Sequence, residues 1–184
     1  MPTGKDLHAF LERQRTAAEQ VYAIVDSARD PYLARAAFEQ FALDRWSLFP
    51  TDTAAHMADV APYLVPVPFE AKYPYSGSGF LDLWAETLGT CAGVLLTATA
   101  AARAVWEHLQ GVFLAADEQG NEFFFRYYDP RILRGFLSSV TAADAKLFFG
   151  PVRQFIVEAE DAAEMLTYRP APDGTRLVRT KLDG

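Results

Sequence analysis

One cysteine, Cys91, is all that 184 residues provide, so no intramolecular disulfide is possible and a thiolate zinc site has no second ligand. Histidine is nearly as scarce. His8, His56 and His108 fall in separate segments, without the short spacings that bring two imidazoles onto one ion. We therefore expect no metal and no cofactor. No phosphate-cradling glycine pattern follows the candidate strand ending at Asp26, and the run Tyr75–Gly79 lacks the strand-to-helix setting of a nucleophile elbow. Long apolar runs are missing too. The longest, Ala92 to Val105, is interrupted by Thr97, Thr99 and Arg103 and is too short to span a bilayer. The opening Met1–Asp6 has no secretory apolar stretch, so the expected location is the cytoplasm, with no membrane partner. An excess of basic residues is absent: 17 against 24 acids gives a net charge of −7. That argues against nucleic acid, which needs a clustered basic surface.

What is present suits a packed core, with 51% hydrophobic and 14% aromatic residues. Leu7, Phe10 and Leu11 share a helical stripe, and Thr3 with Asp6 forms a capping-box pattern. Val21–Asp26 reads as a buried strand, and Pro31 opens a helix reaching about Phe41. Further strands are expected at Arg45–Phe49, near Ala61–Pro68 and at Gly93–Thr97, with helices from Phe80 and Thr99. Val112–Ala116 and Glu122–Tyr128 flank a turn and predict a hairpin; Asp129 then caps a helix with Pro130 at its first position. Aromatic and branched residues are densest from Val112 to Val140, which predicts the most stable part of the fold there. Another strand is expected at Val152–Val157, and a peripheral hairpin or tail around Pro170–Gly174. The expected fold is mixed α+β: a single domain with a mixed β-sheet covered by helices. Its parts are an N-terminal helix (1–20), a main unit (21–157) and a C-terminal extension (158–184).

Phe123-Phe124-Phe125-Arg126-Tyr127-Tyr128-Asp129-Pro130-Arg131 is the unusual stretch. Read as a strand, it sets Arg126 among aromatic rings, where a guanidinium needs a carboxylate, a stacking ring or a ligand. Two readings stand side by side. In one, Arg126 or Arg131 pairs with Asp26 or Asp129 inside the fold; in the other, one arginine faces an acidic group on a partner. His108, near a helix C-terminus, is assigned a structural role, and Cys91 is expected to be a small buried residue.

Arg126–Leu133 resembles the "FRFYDPRVL" hallmark of a bacterial domain family once catalogued as of unknown function. Its members are regarded as adaptors or chaperones of type VI secretion effectors. Tyr22–Asp26 is similar to the family's "YALVD" strand, Ala61–Val65 to "APYLV", and Leu83-Trp84 with Gly89 to "WL…G". Glu107–Leu109 resembles its "HLR" helix end and Phe148–Val152 its "FFGPV" close, so Gly150 and Pro151 join the structural motif. Gln110 departs from the usual arginine, and Ala92-Gly93 from the usual Trp-Gly. The resemblance implies binding, not turnover. Its partners would be the N-terminal region of a secreted toxin and the C-terminal region of a VgrG-type spike protein. For the cargo surface we single out Phe69, Tyr73, Tyr75 and Phe80, from the stretch Tyr63–Trp84 that has more aromatics than its own packing needs, aided by the tail beyond Val157, and Arg131 as the arginine facing a partner's acidic group. Two other readings compete: an enzyme gathering Arg126, Arg131, Asp26 and Asp129 around an anionic substrate, and a structural module of a secretion assembly without chaperone activity.

Overall fold

The computed structural model describes residues 1–41, 43–50, 56–67, 79–116 and 119–182. Helix α1 (Gly4–Gln14) begins at the capping box: Thr3 Oγ1 accepts from the Asp6 N–H (3.3 Å), and the Asp6 carboxylate accepts from the Thr3 N–H (2.7 Å). A helix this short is marginal alone. Burial of Leu7, Phe10 and Leu11, worth roughly 1.5–3 kcal/mol each, decides the matter.

β1 (Gln20–Asp26) is buried at every residue after Gln20, which requires cover on both sheet faces. Asp30 caps α2 (Pro31–Arg35) by accepting from the Leu33 N–H (2.8 Å). That helix widens without a break into a π turn, Ala36–Gln40, so the single helix expected here is two geometries in series. After the short β2 (Trp46–Ser47) come β3 (Pro62–Pro66), α3 (Phe80–Glu86), β4 (Gly93–Ala98) and α4 (Ala102–Gly111). β5 (Leu114–Ala116) and β6 (Glu122–Phe124) form a separate two-stranded hairpin. The chain continues through α5 (Pro130–Leu137), α6 (Ala142–Phe149), β7 (Val152–Glu158), β8 (Glu164–Ala171) and β9 (Gly174–Lys181).

The fold is mixed α+β. Its main sheet has seven strands in the order β2-β3-β1-β4-β7-β8-β9. Each pairing is antiparallel, which corrects the expected mixture of strand directions. Strand–helix alternation does produce crossovers, since β1 and β2 run parallel and so do β3 and β4, but an antiparallel strand lies between the members of each pair, so no two hydrogen-bonded neighbours are parallel. Register places Tyr22, Ile24, Leu96, Phe155 and Tyr168 on one face, against α4 to α6, where Phe148 stacks on Phe155 at 5.0 Å. The other face carries Val21, Ala23, Val25, Leu95 and Ile156 and lies under α1 and α3. There the Gln154 side chain donates to the Gln14 carbonyl (3.1 Å), and Trp84 sits against Gly93. A Cβ at Gly93 would collide with the Ile24 carbonyl, so the Ala-Gly in place of Trp-Gly keeps its essential half.

The hairpin expected around Pro170–Gly174 is present as β8 and β9, and it extends the main sheet rather than trailing from it. The expected stable centre at Val112–Val140 needs correcting. Leu133 and Leu137 of α5 are buried, but β5 and β6 are mostly exposed, with Phe123 and Phe124 each 51% accessible. A hairpin standing off the sheet has too little surface against it to cover both its faces.

Candidate functional site

The family-like segment leaves strand geometry at Phe124. Beyond it the Phe125 N–H donates to the Phe113 carbonyl (2.8 Å), the Tyr127 N–H to Phe125 (2.8 Å) and the Asp129 N–H to Arg126 (3.0 Å), folding the chain into a tight turn. The expected strand to Tyr128, with Arg126 set among its aromatic rings, is therefore corrected. Tyr127 and Tyr128 both point inward. Tyr127 is fully buried and its hydroxyl donates to the Leu109 carbonyl (2.8 Å), while Tyr128 stacks on Phe113 with planes 11° apart. Burial pushes both tyrosine hydroxyls above their ordinary range.

Two carboxylates organise the arginines. Asp129 caps α5: its Oδ1 accepts from the Arg131 N–H (2.9 Å) and Nε (3.0 Å), and its Oδ2 from Arg131 Nη2 (2.6 Å). Burial pushes this carboxyl up, but the side-chain and backbone hydrogen bonds from Arg131 outweigh burial and hold it below the usual range. The same hydrogen bond and charge raise the guanidinium, fixing Arg131 as a cation. Asp26, at the end of β1, accepts from the Ala28 (3.1 Å) and Arg29 (3.2 Å) N–H groups. Arg126 Nη2 stands 4.0 Å from Asp26, with its guanidinium 5.7 Å from the Tyr128 ring. For Asp26 burial wins, and its carboxyl is raised despite the Arg29 N–H and the Arg126 charge.

A third buried carboxylate, Glu158, accepts from the Gly89 and Cys91 N–H groups at 2.8 Å each. Cys91 is half-buried and not enclosed as expected, and its backbone lies in the left-handed region (φ 60). Desolvation, then the hydrogen bond and charge of Glu158, push its thiol up to about 11, so it is protonated and weakly nucleophilic at neutral pH. Arg134 donates to the Glu158 carbonyl (2.7 Å), and Arg29 Nε to the Thr90 carbonyl (2.7 Å). Arg131 also borders an open groove of about 650 Å³ between α5 and the β8–β9 hairpin; Asp26, Arg126 and Asp129 do not line it. Among the described residues, no three His, Cys, Asp or Glu side chains gather as metal ligands.

The remaining sequence candidates sort by burial. Phe80 is 3% exposed and packs on Trp84 and Phe41, which places it in the core and not on an open cargo face. Trp84 and Pro130 are buried as well. Phe69, Tyr73 and Tyr75 lie outside the described residues. His108 Nε2 donates to the Phe148 carbonyl (2.8 Å), and its ring lies where a Cβ at Gly150 would stand. Gly150 holds φ +48 and leads through Pro151 into β7, so the "HL" and "FFGPV" segments form one joint. Gln110, in place of arginine, donates to the Ser47 (3.2 Å) and Phe49 (3.1 Å) carbonyls. Sequence reasoning missed the exposed apolar residues Leu114, Phe123 and Phe124 beside the motif and Ile132 within it. Three consecutive phenylalanines in a short strand were the available signal, because alternation forces at least one to face outward.

A family model described as a domain of unknown function (DUF4123) matches residues 21–146. That range holds five of the six similar segments and stops before Phe148–Val152. No curated protein and no solved structure matches.

Proposed function

The chain belongs to the DUF4123 family, a domain associated with type VI secretion effectors, and from that membership we propose that it is an adaptor holding an effector for loading onto the secretion spike. The observation that carries the reading is the β5–β6 hairpin. Leu114 and Phe124 are cross-strand partners on one face and Phe123 lies on the other, all near half exposed, beside the Arg126–Leu133 motif. A two-stranded hairpin is marginal in water, and apolar groups on both of its faces gain from being covered. Aromatic anchors with adjacent arginines are the residue types that dominate protein interfaces. The cargo would be the N-terminal region of an effector, and the competing surface that receives it the C-terminal region of the spike protein.

Binding also fits the chemistry better than turnover does. Arg131 directs Nε and Nη2 to Asp129, Arg134 is engaged by a carbonyl, and the one thiol is protonated at neutral pH.

The test is affinity capture from the native bacterium with tagged wild type and with a Leu114→Ser, Phe123→Ser double variant. We expect wild type to recover a secreted effector and a spike protein, and the variant to lose the effector. Wild type recovering neither, or the variant recovering the effector in full, would overturn the reading.

A further inference from the structure

β9 closes one end of the main sheet, and nothing among the described residues pairs with its outer side. Gly174 faces Ala171 across the two-residue turn Pro172–Asp173, and at the far end the Leu182 N–H donates to the Ala163 carbonyl (2.7 Å). Antiparallel pairing alternates along a strand, so the even-numbered residues turn their backbone groups to β8. The N–H and carbonyl groups of Thr175, Leu177, Arg179 and Lys181 then face outward. From Arg176 to Arg179 the strand is exposed, as is Lys181, which makes an unusually long open edge.

The charged side chains of β9 itself, Arg176, Arg179 and Lys181, are all basic, while Glu164 on β8 stands opposite Lys181 and pairs with Arg179. Arg176 lies directly opposite Arg169 on β8, a like-charged cross-strand pair that costs stability. Arg169 donates to Gln154 Oε1 (2.7 Å) and to the Gln14 side chain (3.2 Å), both neutral acceptors. Neither Arg176 nor Lys181 has a carboxylate partner among the described residues, and Arg179, paired with Glu164 (2.6 Å), is still more than half exposed. Three cations against the nearby Glu164 and Glu160 leave a local excess of positive charge in a chain of net charge −7, and screening over about 8–10 Å makes the local charge, not the total, decide what approaches.

We propose that the outer edge of β9 is a strand-addition site for an extended, acidic segment of a protein partner. The open row of backbone donors and acceptors supplies register and affinity. Arg176 on one face, with Arg179 and Lys181 on the other, selects carboxylates at alternating positions of the added strand. A second copy of this chain fits poorly, since antiparallel β9–β9 pairing brings two stripes of three cations together. The site is distinct from the β5–β6 hairpin and does not depend on the adaptor reading.

The test is titration of the ¹⁵N-labelled full chain with a capped nine-residue peptide of valine, threonine and glutamate. Its counterpart with lysine in place of glutamate serves as control. Expected are slowed amide exchange and shifts at Thr175, Leu177, Arg179 and Lys181, smaller effects at Arg176, Val178 and Thr180, and at least ~10-fold weaker binding of the lysine peptide. Leu177→Pro removes an outward donor without breaking a bond to β8, and should abolish binding while keeping the rest of the spectrum. Absence of shifts at millimolar peptide, equal binding of both peptides, or the same alternating pattern from protein concentration alone would overturn the proposal. No effector or spike protein enters the experiment, so its failure and that of the adaptor reading are separately visible.

Discussion

At Gly150 a single hydrogen atom decides the local structure. Its φ of +48 is unfavourable for a side chain, and the His108 ring occupies the place of the missing Cβ. Gly150→Ala should therefore cost at least about 2 kcal/mol by urea denaturation. Because part of that cost is collision, adding His108→Ala should make the double variant less unstable than the sum of the two single changes. Additive losses would show that backbone strain alone is responsible. The two aspartates of the arginine cluster behave oppositely. Asp129, held below the usual carboxylate range, contributes stability above its unfolded value that is lost as pH falls through the folded one; Asp129→Ala should cost about 1 kcal/mol or more at pH 7. Asp26 is raised, so its ionised form burdens the fold at neutral pH, and that burden lifts as pH falls through its folded value. Asp26→Asn retains an oxygen for the Ala28 and Arg29 N–H groups and gives up only a 4.0 Å contact with a half-exposed arginine. It should match or exceed wild-type stability at pH 7, with any gain vanishing near pH 4. A clear loss at pH 7 would mean that the Arg126 pairing outweighs desolvation.

Local chemistry made many elements legible. The Thr3–Asp6 box, Pro31 after Asp30, Asp129 before Pro130 and the turn at Pro172-Asp173 each mark an element boundary through groups at most three residues apart. The strand end at Phe124 was not legible, because it is imposed by a bond from the Phe125 N–H to Phe113 and by the pull of Tyr127 toward Leu109. Phe80 was misplaced for a related reason: its contact with Trp84 follows from i,i+4 spacing on α3, but nothing nearby in sequence reveals that Phe41 covers its ring. The β5–β6 hairpin carries the prediction at this scale. Phe123 makes little contact inside the fold, so Phe123→Ser should change the unfolding free energy by no more than about 0.5 kcal/mol. A loss above 1 kcal/mol would mean that the ring already packs in the free protein and is not waiting for a partner.

Over the whole molecule the sheet order could not be read from the chain, since β1 pairs with β3 and β4 while β7 joins through β4, across separations that no short-range signal records. The C-terminal stretch shows the consequence. Its acidic run and prolines read as an extension beyond residue 157, yet β8 buries Met165, Leu166 and Tyr168 and pairs with β7 over four register positions. Removing residues 159–184 would strip those apolar groups from the core and expose β7, a strand otherwise covered on both sides. Each fully buried side chain of that size is worth roughly 1.5–3 kcal/mol, and three of them approach the 5–15 kcal/mol by which a domain is stable at all. The truncated chain should therefore lose its near-ultraviolet circular dichroism and its cooperative melt. In the intact protein, the β8 amides should exchange with the same opening free energy as those of β1 and β4. A truncated chain that still melts cooperatively would make the last two strands an appendage; a shared exchange energy makes them part of one core.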